Sequence, residues 1–253
     1  MSLGLVEVGL RRALAQDGCP ICRIQADAEA RYLRFLLWES VNDASTRIRI
    51  IDSLGFCPIH ARQAAQMEQE MFNDAMGNAI IYEHLVQVVI ERIDSYLGDS
   101  AKARPSRWLG LADRVRPLRS KLTPASDLTP NQPCRVCQAG KSSADLSLKA
   151  LLRGLPTDGE LRSLFEASEG LCLRHVRGAW ELAPHDELQG LTYLLSRTAE
   201  KLKPLADSLT GYVDKHAWER RHEAMDPSEA ESVMQSLAFF AGTQPKGESG
   251  PPG

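Results

Sequence analysis

The chain's six cysteines and two of its six histidines fall into four short pairs. These are Cys19-Pro20-Ile21-Cys22, Cys57-Pro58-Ile59-His60, Cys134-Arg135-Val136-Cys137 and Cys172-Leu173-Arg174-His175. Two residues three apart near a helix start share one face, about one turn from each other. Each pair can therefore grip a cation from one side, and two pairs complete a Cys3His tetrahedron, which is a zinc set. A helix N-terminus helps further, because its free N–H groups and dipole favour thiolate over thiol. Read in order along the chain, Cys19, Cys22, Cys57 and His60 hold one zinc ion, and Cys134, Cys137, Cys172 and His175 hold a second. Spacing leaves open an exchange in which Cys19 and Cys22 meet Cys172 and His175. In either case no cysteine is left over, and a four-ligand protein site has no open position for water or substrate.

The same residues admit other chemistries. An iron–sulfur cluster is usually held by four thiolates, so a histidine in each set favours zinc. Cys19-Pro20-Ile21-Cys22 has the form of a thioredoxin-type dithiol, but that motif follows a strand, whereas Leu5 to Gln16 reads as helix. The second copy also lacks the proline. A thiol switch that ejects zinc on oxidation is compatible with the zinc reading. Six buried cysteines without metal would not account for two histidines in register.

The elements that position these ligands repeat. A shift of 115 residues superimposes all eight ligand positions without a gap. It also pairs Leu33 with Leu148, Leu36 with Leu151, Leu37 with Leu152, Asp43 with Asp158, Arg47 with Arg162 and Gly55 with Gly170. Chance cysteine spacing would not carry the leucines and the glycine with it, so a whole module reads as duplicated. Within each copy apolar residues recur at steps of three and four, as in Ile24, Ala28, Tyr32, Phe35 and Leu36, then Ala79, Ile80, Leu85, Val88, Val89 and Ile93. No alternating strand pattern is present. Asp43 and a Thr157…Glu160 box are expected to cap a second helix, Gly55 or Gly170 to end it, and Cys57 or Cys172 to start a third. A long fourth helix is expected over about 71–97 and again over about 185–209. With 34 residues between Cys22 and Cys57, and again between Cys137 and Cys172, a metal would pin the first helix to the third.

The expected architecture is all-α, with two tandem similar helical modules, each pinned by a Cys3His metal site. The first spans 1–100 and the second 134–242. A basic helical segment and linker occupies 101–133, with a helical pattern around Trp108 to Leu122. The tail from 243 to 253 is too poor in apolar residues to pack.

Length and charge narrow the classes. A chain of 253 residues, 43% hydrophobic and 25% charged, buries a core without staples, which excludes a disulfide-dense mini-protein. No signal peptide is read at the N-terminus, and the longest apolar run, 79–90, contains Glu83 and His84, too short and too polar for a membrane span. A cytoplasmic setting follows as the expectation, where paired thiols are ligands or redox groups rather than disulfides. From Ala101 to Lys121 seven basic residues face one aspartate, in a chain whose net charge is −3. Nucleic acid is one reading of that segment, and a solvated bridge between acidic modules is the preferred one. His84 reads as a core histidine and His185 as a cap or solvent residue. His216 and His222 flank Trp218 on a helix end expected to pack Tyr212 and Trp218 on the body. No phosphate-binding glycine loop, nucleophile elbow or isolable carboxylate pair is present, so catalysis is not expected.

The combination of Cys-Pro-Ile-Cys, Asn42-Asp43, Gly55-Phe56-Cys57-Pro58-Ile59-His60 and the tail Asp214-Lys215-His216…Arg220-Arg221-His222-Glu223 resembles an uncharacterised bacterial family, a domain of unknown function with a CPxC…GFCxxH pattern. The resemblance runs from about Gly18 to Gly242. The second copy departs from it at Arg135 and Leu171. It supports the architecture and implies no reaction. The function expected is a zinc-binding adaptor or regulator acting through an unknown protein partner. The alternative is a redox or electron-transfer role, by an iron–sulfur cluster or a zinc-ejecting thiol switch on the same ligands.

Overall fold

The computed structural model describes residues 3–102, 128–184 and 188–243, and every regular element among them is helical. The helices are α1 (Leu3–Leu14), α2 (Pro20–Phe35), α3 (Ala44–Asp52), α4 (Pro58–Phe72), α5 (Met76–Lys102), α6 (Arg135–Thr157), α7 (Gly159–Ala167), α8 (Leu173–Leu182), α9 (Leu188–Lys215) and α10 (Pro227–Ala241). A π-helical turn, Leu36–Ser40, continues α2. Most of the basic stretch from Ala101 to Lys121, the pattern around Trp108 to Leu122, His185, and the tail beyond Thr243 lie outside the described residues.

The chain forms two compact units, Met1–Glu29 with Ala139–Gly253, and Ala30–Gln138. Their limits fall inside α2 and α6. In the first unit, Leu148, Leu151, Leu152 and Leu155 make a stripe on α6 that is completely or almost completely buried. Leu10 and Leu14 of α1, Ile21 of α2, Phe165 of α7 and Leu194 of α9 pack into the same core. Each such side chain contributes about 1.5–3 kcal/mol by leaving water. Helix α9 comes so near α6 that a Cβ on Gly190 would lie 1.9 Å from the Leu152 carbonyl oxygen, so only glycine fits there. Asp158, not Thr157, is the N-cap of α7, its side chain accepting from the Leu161 N–H at 3.0 Å. Thr157 is spent as the last residue of α6. Arg11 of α1 bridges Asp158 and Glu160 in that first turn.

In the second unit Leu36, Val41, Ile50, Ile81 and Leu85 form one core and Leu33, Ala64 and Val136 another, with Tyr32 and Phe56 packed against both. Asp43 caps α3 as expected, accepting from the Thr46 N–H at 2.7 Å. Gly55, at φ +89°, makes the turn that hands the chain to Cys57, and Gly170 does the same before Cys172 at φ +86°. The helix expected over about 71–97 is present as α5 and starts a few residues later. Helix α4 continues to Phe72, Asn73 turns the chain at φ +53°, and α5 starts at Met76. Buried Glu68 enforces the break by accepting from the N–H groups of Gly77 and Asn78, which would otherwise go unpaired at the start of α5. Of the apolar residues that gave the helical period, Phe35, Ala79 and Ile93 are exposed, and Trp218 stands out with Arg221 over its ring at 3.5 Å instead of packing on the body. No described helix is long and apolar enough to cross a membrane.

Candidate metal centres

The eight expected residues assemble into two groups, with the pairs exchanged. Cys19 and Cys22 meet Cys172 and His175, and Cys57 and His60 meet Cys134 and Cys137. The in-order pairing is thereby corrected, and the shared helices give the reason. Cys19 and Cys22, at the start of α2, lie in the first unit with Cys172 and His175, and Cys134 and Cys137, at the start of α6, lie in the second with Cys57 and His60. Val136, between Cys134 and Cys137, packs on Leu33 and Ala64.

Each group draws one pair from the start of α2 or α6 and one from the start of α4 or α8. Cys57 and Cys172 are N-caps of α4 and α8, with extended backbones that turn their side chains toward the first helical turn, where His60 and His175 sit. Cys172 Sγ is 3.2 Å from His175 Nδ1, and Cys57 Sγ is 3.2 Å from His60 Nδ1. In the first group Cys22 Sγ lies 3.6 Å from Cys172 Sγ, and His175 Nδ1 lies 3.4 Å from Cys19 Sγ and 3.5 Å from Cys22 Sγ. In the second, Cys57 and Cys137 sulfurs are 3.7 Å apart, and His60 Nδ1 is 3.3 Å from Cys137 Sγ and 3.7 Å from Cys134 Sγ. Within each group all four ligand atoms lie within 4.8 Å of one another. A tetrahedron with metal–sulfur bonds of about 2.3 Å has sulfur–sulfur edges of about 3.8 Å. Both groups thus have the dimensions of a shell around one ion.

Their electrostatics push one thiol of each group toward the anion and another away from it. Hydrogen bonds with Cys172 and Cys19 hold the Cys22 thiol far below its ordinary range; the bonds with Cys172 and Cys22, together with burial, drive Cys19 far above it. Burial would lower the His175 pKa, but the Cys172 and Cys22 sulfurs outweigh it and raise it. In the second group burial pushes the Cys134 thiol up, while His60 and the N–H groups of Cys137, Cys57 and Val136 more than reverse this, bringing it to about 6. Burial and the neighbouring charge of Cys134 push Cys137 up to about 12. A cation bound among the four donors would displace the thiol protons that remain, because only the thiolate ligates.

Three residues not foreseen from the sequence complete the first group. Arg174, between two ligands on α8, donates to Cys22 Sγ at 3.7 Å. Gly242, ending α10 at φ +83°, lies so close that a Cβ would stand 3.2 Å from Cys22 Sγ and 3.7 Å from Cys172 Sγ. Thr243 Oγ1 accepts from the Cys19 N–H at 3.0 Å. A glycine directly after the apolar pattern of α10 was the only legible signal, and it marks a helix end rather than a site.

A curated protein from Caldicellulosiruptor sp. (strain Rt8B.4), described as an uncharacterized 23.9 kDa protein in the xynA 3' region, is 24% identical over 229 residues, covering 90% of this chain and 97% of that one. No solved structure matches. The model of the family of unknown function DUF6062 matches residues 1–247, and the chain belongs to that family.

Proposed function

We propose that the protein is a non-catalytic zinc protein whose two ions fix helix starts together, so that it serves a protein partner as an adaptor or regulator in a reducing compartment. The observation that carries this reading is the single-ion spacing of two complete Cys3His groups. A multi-iron cluster needs its thiolates spread around several metal atoms, and sulfurs 3.6–3.7 Å apart suit one ion instead. When bound, zinc supplies a cross-link between helices. The chain's own part is to present four donors per ion from helix N-termini, and to exclude water from the first group by burial of all four. Four protein donors leave zinc no site for substrate. Metal analysis and a visible spectrum of protein purified without oxygen test the reading. Two equivalents of zinc, no colour, and a large fall in melting temperature with a strong chelator are expected. A metal-free protein, a chelator-indifferent melt or a brown visible spectrum would overturn it.

A thiol switch is the second reading, and one observation favours it at the second group alone. Cys57, Cys134 and Cys137 are only half-buried, whereas Cys19, Cys22 and Cys172 are buried. Mild peroxide is then expected to release one zinc equivalent before the other, with disulfide recovered among those three cysteines.

A further inference from the structure

A second kind of site lies in the Ala30–Gln138 unit and shares no residue with either ligand group. The π-helical turn Leu36–Ser40 widens the end of α2 and presents Trp38, which is 66% exposed. Single π-turns inside helices recur at functional sites because the extra residue re-aims side chains. Trp38 stacks on Phe72, at the end of α4, with ring centroids 5.5 Å apart. Next to this aromatic pair is a cavity of about 340 Å³, within the range of small-ligand pockets. Met76 at the start of α5 also lines it, and is 62% exposed. A soluble chain gains nothing in stability from holding a tryptophan and a methionine in water beside a hollow.

The charges around the hollow have one sign. Glu39, Glu68 and Asp74 line it, and among the described residues no lysine or arginine does. Glu68 is buried, and its Oε2 accepts from the Asn78 backbone N–H at 2.9 Å and from the Asn78 side-chain amide. The other end of that amide, Asn78 Oδ1, is buried with no donor, an acceptor left unpaired next to a carboxylate. Aromatic faces attract cations through the ring quadrupole, most strongly at tryptophan, and carboxylates at the rim add to that field.

The geometry points to a binding site for an organic cation, an ammonium or guanidinium carried on an apolar chain. The alkyl part lies on Trp38, Phe72 and Met76 while the charged head meets Glu39 and Asp74. Such a head is found on a free alkylamine and on a lysine or arginine side chain of a peptide. Metal ions alone are poorly served here, because half the wall is apolar.

Titration of the full chain with n-butylammonium, with Nα-acetyl-lysine amide, and with n-butanol and butanoate as neutral and anionic counterparts tests the proposal. Heat and tryptophan emission are the readouts. Saturable binding of the two cations below ~10 mM, with no binding of butanol or butanoate, is expected. Trp38→Leu should weaken it roughly five- to tenfold, as should Glu39→Gln combined with Asp74→Asn. All three residues are exposed, so circular dichroism should be unchanged, and the charge variant stands as an independent measurement should the tryptophan variant misfold. Tighter binding of the lysine amide assigns the site to a peptide side chain, and tighter binding of butylammonium to a free amine. Lack of saturable binding, equal binding of butanol, or unchanged affinity in the folded variants would overturn the proposal. None of these residues belongs to either ligand group, and the metal content of each variant is measured alongside binding, so failure here and failure of the zinc reading are told apart.

Discussion

The two Cys3His groups use the same residue types at the same spacings and differ in everything around them. In the first, all four ligands are buried, a guanidinium leans on one sulfur, and the end of α10 closes against two of them through Gly242. In the second, three cysteines are half-buried, and the position matching Arg174 is Ile59, which is 65% exposed. Identical donor sets therefore give one enclosed and one accessible centre. The ligands set what binds; the neighbours set what can reach it.

The largest expected effect tests the exchange itself. Cys19→Ser together with Cys172→Ser should remove one zinc ion and leave the other, whereas Cys19→Ser together with Cys57→Ser should remove both. Pairing in chain order predicts the opposite assignment. Mass spectrometry under native conditions counts the ions, and each lost ion should also destabilise the fold by at least several kcal/mol, since zinc binding adds directly to folding free energy.

Next in size is reactivity. With a competing chelator and a thiol-alkylating reagent, Cys57, Cys134 and Cys137 should be modified roughly tenfold faster than Cys19, Cys22 and Cys172, because exposure governs attack. Peptide mapping against time reads this directly, and equal rates would erase the contrast drawn here.

A smaller effect should convert one centre toward the other. Gly242→Ala places a Cβ at a positive φ and against Cys22 Sγ, which should cost about 1 kcal/mol or somewhat more and speed alkylation of the first group only. Arg174→Leu should speed it as well without changing the melting temperature much. Alkylation of the second group serves as the internal control in both variants.

The smallest effect is in the helix caps and their pH dependence. The side chains of Ser45 and Thr46, with the Thr46 N–H, hold the Asp43 carboxyl down from 3.8 to about 2. The folded value is the lower one, so the cap's contribution is complete above about pH 4 and is lost as pH falls through 2. Asp43→Asn should therefore flatten the acid limb of a melting-temperature profile in that window, and Asp43→Ala should lower the melting temperature by a few degrees at neutral pH. Asp158 is lowered by its bond from the Leu161 N–H and by Arg11, and should follow the same direction.

Helical periodicity, the caps at Asp43, Cys57 and Cys172, and the turns at Gly55 and Gly170 were all legible, because each depends on a few neighbouring residues. So was the set of eight residues that gather into the two groups, since a cysteine or histidine three residues from another announces itself. The division of α4 from α5 was legible, but its exact place was not, because it rests on Glu68 folding back onto Gly77 and Asn78. Nor was Arg174's role, as nothing local distinguishes a guanidinium over a thiolate from one in water.

By itself, then, the sequence determined which residues can ligate, that they come in four helix-start pairs, and that the chain between them is helical. Only the tertiary structure decided which pair meets which. Spacing along a chain measures separation through the backbone, and two continuous helices, α2 and α6, each carry one end into a different core. The partner of Cys19 and Cys22 is consequently chosen by packing at Ile21, Leu148 and Val176 rather than by the number of residues to the next cysteine.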